Sequence, residues 1–237
     1  MTTNRLKLYN MWISSCSFRI RIALASKQIS YDYIPVNLMK DEHKNNSNLS
    51  GVKQVPTLFD NEKDLSLSQS MAVMQYLDDF GHETNTPLLF PACPVLKAKT
   101  IEIAEIHNSF MQPLQNLSVL RKLEAMNNSP DRALSRASHT SNTKAWCQEF
   151  CHQGLQATEQ LINADTKFSI SDNLTACDLF IYPMVVNCLT RHGINLENYP
   201  KIRQVMENMK VLDVVQKAHP KNQEDTPEDY DFSKWEY

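Results

Sequence analysis

Ser14-Ser15-Cys16-Ser17-Phe18-Arg19-Ile20-Arg21-Ile22-Ala23-Leu24 follows closely on an alternating stretch, Arg5-Leu6-Lys7-Leu8-Tyr9. The alternation sets Leu6 and Leu8 on one side and predicts a short strand over Arg5 to Tyr9. Ser14 or Ser15 can cap what comes next. Phe18, Ile22, Ala25 and Ile29 repeat at helical spacing and predict a helix over 16–28. Tyr31 to Val36 reads as a second strand, and Val55-Pro56-Thr57-Leu58-Phe59 as a strand opening on proline. The polar run Asp41 to Asn48 fits either a short helix or a loop. Gln69 to Phe80 carries Val73, Met74, Leu77 and Phe80 on one face, a helix. The order β-α-β-(α)-β-β-α predicts a small mixed sheet flanked by helices.

Gly81 to Pro94 breaks the pattern with Asn85, Thr86, Pro87, Pro91 and Pro94, suiting a linker. Every periodic segment after it is helical. Leu96 to about Glu124 forms one long stretch, which Pro113 should kink or end. Thr143 to Asn163 is another helix. Thr175-Ala176-Cys177-Asp178 has the capping-box pattern and starts a helix that runs to about Arg191, with Pro183 inside it. Ile202 to Met209 and Leu212 to Ala218 are shorter helices. The expected layout is a mixed α/β unit over 1–83, a linker over 84–94, an all-helical unit over 95–220 and a tail over 221–237. Glu224 to Tyr237 carries a net −5, against +2 for the remainder. The simplest expectation is a solvated tail, although Tyr230, Phe232, Trp235 and Tyr237 give it aromatics that could dock on the body.

At 237 residues and a net charge of −3, the chain shows no nucleic-acid footprint. Its four glycines, Gly51, Gly81, Gly154 and Gly193, cannot build a glycine-rich phosphate loop. The apolar runs fall short of the roughly 20 residues of a membrane span. Met1 to Trp12 has no apolar stretch behind its charges, so no secretory leader is expected. Six cysteines then read as reduced thiols in a cytoplasmic protein.

Three places suit ligand chemistry. The helix start at Ser14-Ser15-Cys16-Ser17 offers free N–H groups, a partial positive charge and hydroxyl donors, all favourable to an anion such as a ligand's thiolate. An ordinary serine cap beside a small cysteine accounts for the same residues. Val55-Pro56 suits a tight cis turn that leaves the Val55 backbone for an extended, peptide-like ligand, or simply an edge strand starting on proline. Gln69-Ser70 opens a helix and suits a carboxylate, or a plain cap. Thiolate, backbone and carboxylate recognition on one small domain match the features of glutathione.

These residues resemble the zeta class of glutathione transferases, the maleylacetoacetate isomerase family. The resemblance rests on Ser14 to Leu24, on Lys53-Gln54-Val55-Pro56-Thr57-Leu58, and on Gln69-Ser70-Met71-Ala72-Val73. It continues through Gln112-Pro113-Leu114-Gln115-Asn116-Leu117-Ser118-Val119-Leu120, Tyr199-Pro200-Lys201-Ile202, His219-Pro220 and Asp225-Thr226-Pro227. It implies an N-terminal thioredoxin-like, glutathione-binding domain (1–83) followed by an all-helical glutathione-transferase domain (95–220), as a cytoplasmic homodimer. It implies catalytic Ser14, Ser15 and Cys16. The implied glutathione site adds Ser17, Phe18, Arg19, Val55, Gln69, Ser70, Gln112, Asn116, Leu117 and Ser118. Arg191 would hold the second substrate's carboxylate. The implied reaction is glutathione-dependent cis–trans isomerisation of maleylacetoacetate to fumarylacetoacetate in tyrosine and phenylalanine breakdown, with possible transfer of glutathione to small α-haloacids.

Some positions depart from the family pattern. The segment from Leu38 to Lys53 is short, leaving His43 or Lys44 as candidates for the glycine end of glutathione. Phe110 is bulky where small residues are usual, and could narrow the pocket or repack the dimer side. Two competing readings follow: a glutaredoxin-like thiol reductase using Cys16, and a non-catalytic paralogue acting as a binding or scaffold protein. Cys147, Cys151 and His152, a helical turn apart, read as structural rather than as a metal or redox site. Cys177 and Cys188 read as core, and Lys97, Lys99, Arg121 and Lys122 as a solvated face.

Overall fold

In a computed structural model of the chain, residues 4–49, 51–80, 85–126 and 141–235 are described. Residues 81–84, at the boundary of the expected α/β unit and linker, residues 127–140 of the expected helical unit, and Glu236 and Tyr237 of the tail lie outside them. Strand β1 (Leu6–Asn10) leads into helix α1 (Ser15–Ser26), which crosses to β2 (Tyr31–Pro35). Strands β3 (Thr57–Asp60) and β4 (Leu65–Ser68) follow, then α2 (Ser70–Asp79). The sheet order is β2-β1-β3-β4. β1 and β2 run parallel with Leu8 opposite Tyr33, as a helical crossover requires. β3 is antiparallel to both of its neighbours. The polar segment after β2 forms a 3₁₀ turn at Leu38–Lys40 and then turns. The third strand starts at Thr57, one residue after a cis Val55-Pro56 bond.

The helical part comprises α3 (Pro94–Glu105), α4 (Leu117–Met126), α5 (Ser141–Leu161), α6 (Ala176–His192), α7 (Pro200–Lys210) and α8 (Asp213–Ala218). Between α3 and α4 the chain does not simply kink at Pro113. The backbone widens into a π-helical segment at Ile106–Met111, closes through Gln112–Leu114, and breaks only at Gln115-Asn116. Pro113 lacks the N–H an α-helix would need there, and the distortion lies upstream of it. Helix α6 runs through the centre: every residue from Ala176 to Cys188 is buried. Its start is fixed by Asp178, whose carboxylate accepts from the Thr175 N–H and hydroxyl and from the Ser169 N–H, each at 2.9 Å.

Helix α1 packs against α2 and α6 and carries α8 alongside. Its residues are therefore buried on every side, including Arg19 and Arg21, whereas spacing alone indicated one apolar stripe. Part of the expected linker is held against the body. Leu89 and Phe90 are buried, and the carboxylate of Asp78 accepts from both of their N–H groups at 2.7 and 3.0 Å while pairing with the buried Lys27 at 2.6 Å.

The expectation of a solvated tail is corrected. Tyr230 and Phe232 pack edge-on against Trp12, with ring centroids at 4.6 and 6.1 Å, and Trp235 is buried against His219. Asp225 accepts from the Trp12 N–H at 3.1 Å and from the Tyr33 hydroxyl. The aromatic area and two buried donors outweigh the tail's net charge. Among the described residues, no helix is long and apolar enough to cross a membrane.

Candidate active site

The loop over residues 11–14 places Ser14, and nearly every backbone group in it is held. Met11 N–H donates to Ser17 Oγ at 3.5 Å, and Ser14 N–H to the Met11 carbonyl at 3.0 Å. Arg21 donates to the carbonyls of Met11 and Trp12, and Arg191 to that of Ile13 at 3.0 Å. Ser14 then caps α1, its Oγ accepting from Ser17 N–H at 3.3 Å. That bond occupies an acceptor position and leaves the hydroxyl proton available.

Two cavities meet at Ser14. The larger, of ≈ 630 Å³, is lined by Ser14, Cys16, Gln54, Val55, Gln69 and Ser70 from the sheet unit and by Asn108, Gln112, Asn116, Leu117, Ser118 and Arg121 from the helical side. The smaller, of ≈ 70 Å³, holds Ser14, Ser15, Gln112, Gln115, Asn116, Leu117, Asn187, Arg191 and His192. Among the described residues, Val55 takes part in none of the backbone hydrogen bonds of the turns and loops. Gln69 has φ of +72°, a region costing a non-glycine residue about 1–3 kcal/mol, and this turns its side chain to the cavity at the start of α2.

The structure brings Ser14, Cys16, Val55, Gln69, Ser70, Gln112, Asn116, Leu117 and Ser118 to the large cavity, and Ser15 and Arg191 to the small one. Ser17, Phe18 and Arg19 line neither. Ser17 braces Met11, Phe18 packs edge-on against Tyr182, and Arg19 lies fully buried behind the wall. These three fall on the inner faces of α1. His43 lines the cavity, whereas Lys44 turns to Asp41. Arg121 also lines its rim and is exposed there, in keeping with a solvated face. Phe110 leans on Phe150 at 5.9 Å, away from both cavities.

Asn108 and Asn187 were missed by sequence reasoning. Asn108 lies four residues before Gln112, a spacing that marks one helix face and was available as a signal. Cys147 and Cys151 are buried, and burial raises the Cys147 thiol to about 12. His152 bonds the Tyr199 hydroxyl at 2.8 Å. Cys177 and Cys188 are core.

A four-stranded β-α-β, β-β-α unit with a helical unit closing over its α1 and α2 starts defines, as a class, a glutathione transferase. Residues 4–79 match the family described as glutathione S-transferase, N-terminal domain. The chain is 33% identical to maleylacetoacetate isomerase of Mus musculus over 93% of its own length and 94% of that protein's. It is 34% identical to glutathione S-transferase Z1 of Arabidopsis thaliana, over 94% and 95%. A crystal structure of maleylacetoacetate isomerase from Anaeromyxobacter dehalogenans 2CP-1 with bound GSH in the active site superposes with a TM-score of 0.79 at 32% identity, covering 96% of this chain and 100% of that one. The chain belongs to the zeta-class glutathione transferase and maleylacetoacetate isomerase family.

Proposed function

We propose that the protein is a maleylacetoacetate isomerase that uses glutathione as a nucleophilic cofactor, converting maleylacetoacetate to fumarylacetoacetate in tyrosine and phenylalanine breakdown. The observation that carries this reading is the Ser14 hydroxyl, capped by Ser17 N–H and facing both cavities at once. Glutathione lies in the large cavity. Its cysteinyl backbone pairs with Val55, its glutamyl end meets Gln69 and Ser70, and its sulfur reaches Ser14 at the α1 start. The Ser14 hydrogen bond to thiolate contributes about 1.5–3 kcal/mol and the helix end about 0.3–1. Together they lower the thiol pKa by about two units, enough to leave it mostly ionised at neutral pH.

The second substrate enters the small cavity with a carboxylate toward Arg191. The thiolate adds to the cis carbon–carbon double bond, whose electron pair moves onto the adjacent carbonyl as an enolate. The former double bond rotates as a single bond. The enolate collapses, re-forms the double bond in the trans geometry and expels the thiolate, so glutathione is regenerated unchanged. Donors from Arg191 and the α1 start oppose the charge of the enolate. The same arrangement suits halide displacement from small α-haloacids.

In this reading, residues 1–83 form the glutathione-binding domain and 95–220 the substrate domain. The protein works in the cytoplasm as a homodimer. Support for a second subunit comes from the start of α3, where Val95 and Leu96 are 68% and 37% exposed.

Maleylacetone, assayed with and without glutathione, tests the reading. Turnover should require glutathione, and Ser14→Ala should lose about 10- to 100-fold in kcat/KM, the worth of one hydroxyl–thiolate bond. Turnover indifferent to glutathione refutes it. Cys16→Ala should keep its isomerase activity; mixed-disulfide trapping at Cys16 with loss of turnover would instead favour the thiol-reductase chemistry.

A further inference from the structure

Arg19 is a complete guanidinium inside the protein. It is 0% exposed, stacks on the Phe180 ring at 4.3 Å, and makes no ion pair among the described residues. Its three hydrogen bonds all run toward the back of the large cavity. Nη1 donates to Ser70 Oγ at 3.3 Å and to Asn108 Oδ1 at 3.2 Å, and Nη2 donates to Gln112 Oε1 at 3.0 Å. Nε has no partner. Burial of a cation on this scale is costly, so the position calls for an explanation beyond packing.

A guanidinium has five donors and no acceptor. Every atom that it touches must therefore be an acceptor, and this fixes which way each amide is turned. Gln112 must present its oxygen to Arg19, where that oxygen also accepts from Ser15 Oγ at 3.1 Å. Its NH₂ is left toward the cavity that Gln112 lines. Asn108 must do the same with Oδ1, and its NH₂ turns to the carboxylate of Glu105 at 3.3 Å. Ser70 accepts from Arg19 and points its own proton at Asn108 Oδ1, at the long limit of 3.5 Å.

We propose that Arg19 is the positioning residue that sets the hydrogen-bond polarity of the cavity wall. It holds the acceptor atom of Gln112 from behind, so that this side chain faces the ligand as a donor above a buried positive charge, and it fixes the Ser70 hydroxyl beside it. The wall thereby selects an anionic ligand without Arg19 touching it. The charged or titratable groups that face Arg19 are Cys16 on its own helix and Glu105 and His107 on the adjoining α3 and π-helical segment. Burial lowers the guanidinium pKa, while Cys16 and Glu105 draw it back. The proposal rests on the glutathione reading above.

The test uses the full chain and two ligands, glutathione and S-methylglutathione. Calorimetry gives Kd, and the thiolate ultraviolet absorbance of bound glutathione titrated against pH gives its pKa. In Arg19→Met, Kd for both ligands should rise about tenfold and the bound thiol pKa should rise by about one unit. Arg19→Lys should recover part of both. If Arg19→Met does not fold, Gln112→Glu decides. That carboxylate keeps two acceptors for Arg19 and Ser15 and gains an ion pair, so its melting temperature should match or exceed that of the parent. It removes the cavity-facing donor, so Kd should rise about tenfold or more. A folded Arg19→Met with unchanged Kd and thiol pKa, or a Gln112→Glu that binds as tightly as the parent, overturns the role of Arg19 alone. A parent protein that takes up no glutathione overturns both this role and the glutathione reading.

Discussion

Ser15 commits its hydroxyl proton to Gln112 Oε1, whereas the Ser14 hydroxyl, accepting from Ser17 N–H, keeps its proton for the cavity. Two chemically identical neighbours thus take different parts. Ser15→Ala should lose less kcat/KM than Ser14→Ala, because it removes a bond within the wall worth about 0.5–1.5 kcal/mol rather than one to the thiolate. Equal losses in the two variants, measured with maleylacetone, would contradict that division. Arg191→Ala should raise KM for the keto-acid substrate far more than Kd for glutathione, since Arg191 lines only the small cavity. The sequence made the serine cap legible, because hydroxyl residues before an apolar-periodic run are a local signal. It could not divide Ser14 from Ser15, which depends on a glutamine 97 positions away. The full burial of Arg19 was not legible for a related reason: helical spacing shows faces, but not that later helices cover the polar one.

At the scale of elements, α5 meets the π-helical segment through a glycine. A Cβ at Gly154 would overlap the Cγ and Sδ of Met111. Gly154→Ala gains about 1 kcal/mol in helix propensity but meets an overpacking cost of about 1–3. The expected outcome is a net loss of about 1 kcal/mol in denaturant midpoint experiments; a stabilised variant would show that Met111 moves aside freely. The tail makes a second close junction. Asp225→Ala leaves the Trp12 N–H and Tyr33 hydroxyl unpaired at a cost of about 1–3 kcal/mol. The melting temperature should fall, and tryptophan emission should shift to the red as Trp12 and Trp235 become wetter. The order of elements was readable because strands and helices here have distinct periods. The fate of the tail was not, since composition weighs charge and aromatic content without knowing whether a cleft awaits them.

Across the whole molecule, two buried histidines govern behaviour in acid. Burial, with Arg19 adding to it, lowers His107 to about 3, and burial together with Lys221 and Arg21 lowers His219 to about 4. Both stay neutral in the folded protein at pH values where the unfolded chain, with histidine near 6.5, takes up protons. Stability is therefore fully present above about pH 6.5 and declines as pH falls toward 4, by up to about 1.4 kcal/mol per pH unit for each histidine. Calorimetric melting temperatures should be level from pH 8 to 7 and fall from pH 6 to 5, with a shallower fall in His219→Gln. A level trace down to pH 5 would refute this.

The docking of Asp225 on Trp12 has a consequence for biosynthesis. The ribosome delivers Trp12 213 residues before its partner Asp225. A nascent chain can shape its sheet early, yet the loop that presents Ser14 tightens only once the closing stretch has left the exit tunnel. An extension fused directly behind Trp235 would compete with that final step, and should lower the yield of active enzyme more than the same fusion placed ahead of the first strand.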